Sequence, residues 1–149
     1  MRNRMIILTI SLMMFASASF SQVVDVAVEQ ISSEINFFQG TYDEALQKAK
    51  DENKILFVDA YAVWCGPCKY MSKYVFTDLR VAEYFNEHFI NYKYDMEKGE
   101  GPAFAIEYSV AGYPTLLFLS SDGKVLDRNL GGLTVDQLLD RGEKVVVKY

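Results

Sequence analysis

Two cysteines, one histidine and three prolines in 149 residues already exclude several classes of protein. So few soft ligands cannot build a four-ligand zinc site from Cys and His, and no metal is expected. Two cysteines close at most one bridge, which rules out a disulfide-stapled miniprotein. Cationic clusters are missing too. Fifteen Lys+Arg stand against twenty Asp+Glu for a net charge of −5, with no basic stretch dense enough to follow a phosphate backbone. Nucleic acid is therefore not an expected partner. With 50% apolar and 14% aromatic residues, the chain can bury the core of one globular domain.

Long apolar runs are also scarce. Met5 to Ala16 is apolar apart from Thr9 and Ser11, follows Arg2 and Arg4, and gives way to Ala16-Ser17-Ala18 and Ser19-Phe20-Ser21. Twelve helical residues rise about 18 Å, well short of a hydrocarbon core of about 30 Å. Residues 1–21 thus read as a secretory signal peptide cut after Ala18 or Ser21, not as an anchor. No cysteine near the cut offers a lipid attachment point. Cleavage removes two arginines and no acid, leaving −7. The mature chain is expected to be soluble and periplasmic or extracellular, where unprotected thiols tend to be oxidised.

Residues 22–36 read as a leader or an added edge strand. From Gly40 the pattern sharpens. Thr41 with Glu44 forms a capping box for a helix to about Asp51, with Ala45, Leu46 and Ala49 inward. Ile55 to Ala62, apolar except for Asp59, reads as a strand covered on both faces. Helices are expected from Cys65, carrying Met71, Tyr74 and Val75 inward, and from about Leu79 to His88 behind Asp78. A strand over Phe89–Tyr94 and a helix over Pro102–Tyr108 follow. Two strands, Thr115–Leu119 and Lys124–Asn129, flank the turn Ser121-Asp122-Gly123. Thr134 and Gln137 cap a closing helix with Val135, Leu138 and Leu139 inward. Alternating helices and apolar strands imply one layered α/β domain with helices on both faces of its sheet.

The chemistry concentrates in Trp64-Cys65-Gly66-Pro67-Cys68-Lys69, where a buried strand gives way to a helix. Cysteines at i and i+3 can close a small disulfide ring. Cys65 sits where orphan N–H groups and the positive dipole end favour an anion. Cys68 lies one turn further in and keeps its proton until needed. Gly66 permits the tight entry, and Pro67 fits a first turn whose N–H would be unpaired anyway. Asp59, desolvated on a covered strand, would have a raised pKa and serve as a proton acceptor; the alternative is a solvated, idle carboxylate at a strand end. Lys93 either tunes Asp59 or extends its stem to solvent. Trp64 is either core filling or an exposed plate beside Cys65. Pro114 leaves its isomer open on composition alone. His88, without a companion histidine, reads as a helix-end residue and not a ligand.

The segment resembles the active site of the thioredoxin superfamily, and further resemblances follow in consistent order. Phe57-Val58-Asp59-Ala60 places an aspartate six residues before Cys65; Lys93-Tyr94-Asp95, Gly112-Tyr113-Pro114-Thr115 and Gly131-Gly132-Leu133 complete the set. The run from Gly40 to Cys68, with Phe76 and Asp78, resembles extracytoplasmic members, including the C-terminal domain of the transmembrane thiol reductase. The resemblance implies a thioredoxin fold over 37–149, a central mixed sheet with helices on both faces. It implies a cis Tyr113–Pro114 bond, an exposed Trp64, and a substrate groove bounded by Trp64, Gly66, Pro67, Tyr113, Pro114 and Gly131. Tyr113 departs from the small aliphatic residue common at its position.

The activity expected is reduction of disulfides in client proteins by a Cys65–Cys68 dithiol/disulfide cycle. Asp59 takes the Cys68 proton through water, Lys93 tunes it, and no cofactor beyond the redox-active disulfide is needed. Electrons would come from a transmembrane thiol reductase, and a monomer is expected. Two other functions use the same groove. A dithiol oxidase runs the cycle backwards, although the segment between Asp95 and Tyr113 has no room for the helical insertion of dedicated oxidases. A holdase binds peptides without turnover.

Overall fold

The computed structural model describes residues 32–149. The signal-peptide reading over 1–21, and residues 22–31 of the leader, lie outside the described residues. Among the described residues no helix is long and apolar enough to cross a membrane.

Ten elements follow one another: α1 (Tyr42–Asp51), β1 (Ile55–Tyr61), α2 (Gly66–Tyr70), a π-helical turn (Met71–Val75), α3 (Leu79–His88), β2 (Phe89–Asp95), α4 (Gly101–Glu107), β3 (Thr115–Leu119), β4 (Val125–Leu130) and α5 (Val135–Lys148). The strands form a mixed sheet in the order β2-β1-β3-β4, with β1 parallel to β2 and antiparallel to β3, and β4 antiparallel to β3. This is the thioredoxin-like arrangement that the sequence implies, in one domain.

Central β1 explains the layering. Leu56, Phe57, Val58, Asp59 and Ala60 are all fully buried, so each alternate face needs its own cover. Leu56, Val58 and Ala60 pack with Ala45 and Ala49 of α1, Phe104 of α4, and Leu117 and Leu119. Phe57 on the opposite face packs with Met71, Val75, Phe85 of α3, Leu116, Phe118 and Leu138 of α5. Each of these phenylalanines contributes roughly 1.5–3 kcal/mol by leaving water. Period-two alternation places Asp59 on the same face as Phe57, and strand register sets Lys93 of β2 directly beside it.

Three local features go beyond or differ from the sequence expectation, which leaves residues 22–36 as a leader or an edge strand. The helix after Cys65 is interrupted by the wide turn at Met71–Val75, in which the Phe76 N–H reaches back five residues to the Met71 carbonyl at 2.9 Å. Buried Val75 and Phe76 then both face the core, while Tyr74, expected inside, is 53% exposed. Residues 32–36 form no strand; Ile35 is buried, its N–H donates to the Phe76 carbonyl, and Phe37 makes an isolated parallel bridge to Asn91 at the outer edge of β2. Helix α4 begins at Gly101, one residue before Pro102.

Gly101 is buried against the chain that enters its own helix. A Cβ there would stand 2.0 Å from the Asp95 carbonyl oxygen and 2.8 Å from Met96 Cα, both backbone atoms that cannot swing away. Gly66, by contrast, has no atom within 4 Å of such a Cβ. Thermal and urea denaturation should therefore show Gly101→Ala destabilised by about 3 kcal/mol or more, and Gly66→Ala within about 0.5 kcal/mol of the parent. Equal effects would mean that the α4 entry yields freely.

Candidate active site

The site forms where the C-terminal end of β1 meets the start of β3 and the exit of β4. The chain leaves β1 at Tyr61, turns through Ala62–Trp64, and starts α2 with Cys65 as its N-cap in extended conformation (φ −68°, ψ 115°). The Cys65 N–H donates to the Ala62 carbonyl (3.1 Å), closing the turn. Pro67 lies in the first helical turn, where a missing N–H leaves no bond unmade. Cys65 and Cys68 are joined in a disulfide with their Cα atoms 5.3 Å apart. The Cys68 backbone N–H points at Cys65 Sγ at 3.1 Å. An amide at a helix start thus faces the first sulfur, as the capping position requires. Both residues are buried, at 3% and 2% exposure, in a cluster with Ala62 flanked by Tyr61 and Tyr113.

Asp59 lies on β1 with no exposed surface, and neither carboxylate oxygen accepts a hydrogen bond from the described residues. Desolvation dominates and raises its pKa from the ordinary 3.8 to about 6, against an opposing pull from Lys93. Lys93 Nζ stands 3.5 Å from Asp59 Oδ2, an ion-pair distance beyond good hydrogen-bond contact. The stem does not run straight out to solvent. Its ammonium bonds to Ser72 Oγ and lies over the rings of Tyr61 (4.9 Å to the centroid), Phe76 (5.5 Å) and Phe37 (5.6 Å). A groove of about 430 Å³ is lined by Cys68, Ser72 and Lys93 together, so the lysine that pairs with Asp59 shares a groove with the second sulfur.

Across the dithiol, the Tyr113–Pro114 peptide bond is cis. Pro114 is buried and immediately precedes β3, and its carbonyl accepts the Gly131 N–H at 2.8 Å. Gly131 has φ +99°, which side-chain-bearing residues rarely adopt, and this lets the chain leave β4 beside that loop. A Cβ on Gly132 would lie in ordinary contact with Pro67 and Met71, so the glycine edge packs on α2. Trp64 is 64% exposed, with its ring edge-on to Tyr113 at 5.8 Å and its indole N–H donating to Glu97 (2.9 Å). It is a surface plate, not core.

All ten residues singled out in the sequence thus lie at or behind one sulfur pair. Three that sequence reading passed over also belong there, Ser72 and Phe37 around the Lys93 ammonium and Glu97 on Trp64, and Phe76, noted only as part of the resemblance, lies against the same ammonium. Ser72 carried one usable signal, its place four residues after Cys68 on the same helical face. Glu97 and Phe37 carried none, since their partners are 33 and 56 positions away. Among the described residues no group of three or more His, Cys, Asp or Glu side chains converges as a metal site.

A family model described as thioredoxin-like matches residues 37–121. Thioredoxin Y2, chloroplastic, of Arabidopsis thaliana is 36% identical over 103 residues, covering 69% of this chain and 56% of its own length. Thiol:disulfide interchange protein DsbD of Tatumella citrea is 32% identical over 96 residues, covering 62% of this chain and 17% of its own. The chain therefore spans little more than half of the first relative and a small part of the second. Among solved structures, a putative disulphide-isomerase from Bacteroides thetaiotaomicron superposes with a TM-score of 0.68 at 49% identity, covering 77% of this chain and 94% of that one. The oxidised DsbD C-terminal domain of Neisseria meningitidis gives 0.61 at 25% identity, covering 73% and 98%. With the fold, the ordered motifs and a family match over more than half its length, this chain belongs to the thioredoxin-like family.

Proposed function

We propose that the protein is an extracytoplasmic thiol–disulfide oxidoreductase that reduces disulfides in client proteins. The observation that carries this reading is the placement of Cys65 Sγ as a helix N-cap, receiving the Cys68 N–H, with Cys68 sharing a groove with Lys93, the ion-pair partner of the buried Asp59. In the reducing direction the Cys65 thiolate attacks one sulfur of the client disulfide, forming a mixed disulfide and expelling the client's other sulfur as a thiolate. Asp59, relayed through water, takes the Cys68 proton. The Cys68 thiolate attacks Cys65 Sγ, frees the second client sulfur and leaves the Cys65–Cys68 bridge. Two electrons pass to the client, and two protons accompany them to its thiols.

A carboxyl titrating near 6 suits that transfer, because it is ionised at neutral pH and still basic enough to accept a proton. Trp64, Gly66, Pro67, Tyr113, Pro114 and Gly131 bound the groove in which the client strand lies, with the Tyr113 backbone free to pair with it by strand addition. The N-terminal run of basic, apolar and small residues supports export, and the likeness to DsbD supports a transmembrane thiol reductase as electron donor.

Insulin-type disulfide reduction is expected from the wild type and lost in Cys65→Ser, while Cys68→Ser should accumulate a mixed disulfide with its client. Equal activity of wild type and Cys65→Ser would reduce the protein to a binder. A redox titration should place the pair below about −200 mV; a value near −120 mV would make it an oxidant of its clients.

Asp59→Asn separates chemistry from stability. The native carboxyl keeps its proton up to about pH 6, whereas the unfolded chain loses it near 3.8. The stability that this protonation contributes is complete below 3.8 and lost as pH rises through 6. Urea denaturation of the oxidised proteins at pH 7 should find Asp59→Asn more stable, by on the order of 3 kcal/mol, with the gap closing towards pH 4. Release of the mixed disulfide should slow by on the order of 10²-fold at neutral pH. Unchanged release kinetics would remove Asp59 from the proton path.

A further inference from the structure

The exposed face of α2 and the turn after it is built unlike the rest of the surface. Lys69, Tyr70, Lys73 and Tyr74 all point outward, at i, i+1, i+4 and i+5. Tyr70 and Tyr74 are 54% and 53% exposed, with ring centroids 5.2 Å apart, and the Lys73 ammonium lies over the Tyr74 ring at 5.0 Å. Lys69 and Lys73, like Lys50, Arg128 and Lys148, have no salt-bridge partner among the described residues, and of these five only Lys69 and Lys73 line the groove beside Cys68. Lys69, Lys73 and Lys93 line the groove that Cys68 also lines, no carboxylate is among its lining residues, and Asp59 is buried beside Lys93.

We infer that this face is a docking surface for an acidic segment of the client polypeptide next to its disulfide. The inference rests on the proposed disulfide chemistry at Cys65. On a chain with a net charge of −5, two unpaired lysines beside the reactive sulfurs are a local reversal of sign. With a screening length of about 10 Å at 0.1 M salt, a client residue at this groove feels those lysines more than the distant acids. The tyrosines give an extended chain apolar surface to lie on and hydroxyls to bond, at little entropic cost. Geometry sets the spacing. Lys69 and Lys73 lie four and eight residues beyond Cys65, about 6 and 12 Å along a helix. An extended client advances about 3.3 Å per residue, so its acids belong two and four residues from its own cysteine.

Two peptide disulfides test this, identical except for Glu or Lys two and four residues from the cysteine, together with cysteine-to-alanine versions for binding. Trp64, the only tryptophan, reports binding to the oxidised protein by fluorescence. The acidic peptide should bind, and be reduced with a kcat/KM, about fivefold better than the basic one at low salt. The advantage should vanish at 0.5 M salt and reverse in Lys69→Glu/Lys73→Glu, whose fold is checked by circular dichroism. Charge-indifferent binding and reduction would overturn the docking surface and leave the reductase intact. If neither peptide disulfide nor neutral 2-hydroxyethyl disulfide is reduced, the reductase reading fails, and the binding arm still decides the docking surface by the same criterion.

Discussion

A carboxylate held entirely out of water beside a single ammonium organises this molecule. Asp59 has no exposed surface and no hydrogen-bond donor among the described residues, so the 3.5 Å approach of Lys93 is what offsets its charge there. That approach in turn needs the parallel pairing of β1 with β2, which sets residue 59 opposite residue 93. It also needs three aromatic rings and the Ser72 hydroxyl to hold the ammonium where it is. Strand register, the position of Phe37 outside β2 and the wide turn carrying Ser72 thus converge on one pair of charges. The desolvation that would destabilise an idle carboxylate here is what raises its pKa to about 6, against the pull of Lys93.

The disulfide and that pair stand on opposite sides of a division of labour. Cys65 is governed by backbone: a helix start, an N–H at 3.1 Å and a proline that leaves no amide wasted. Cys68 is governed by side chains reached through the groove it shares with Ser72 and Lys93. Two sulfurs three positions apart therefore meet different electrostatic surroundings although both are almost fully buried. Trp64, tethered to Glu97 and set edge-on against Tyr113, closes the outer side without entering the core.

Much of this was legible because it is written locally. Both capping boxes, at Thr41 with Glu44 and at Thr134 with Gln137, are formed as their spacing implies. The apolar run around Asp59 by itself implies a strand with two covered faces, and hence a desolvated acid. What escaped was non-local. The surroundings of Lys93 come from residues 37, 61, 72 and 76, and no periodicity links these positions. Nor does anything local announce the constraint on Gly101, which is the backbone of Asp95 six residues earlier. The turn at Met71–Val75 has no glycine or proline to announce it. It answers a packing demand, that Val75 and Phe76 both be buried, which α-helical phase would not satisfy together with an outward Tyr74.

That widened turn has a consequence of its own. One extra residue in a helical cycle advances everything after it by about 100°, so the stretch behind the sulfurs is phased independently of the stretch that contains them. Substitutions at 73 or 74 can change what the outer wall presents without rotating residues 65–68. The chain thereby gains a swivel between its sulfur pair and its outer wall, so the wall can be rebuilt while the sulfurs keep their setting.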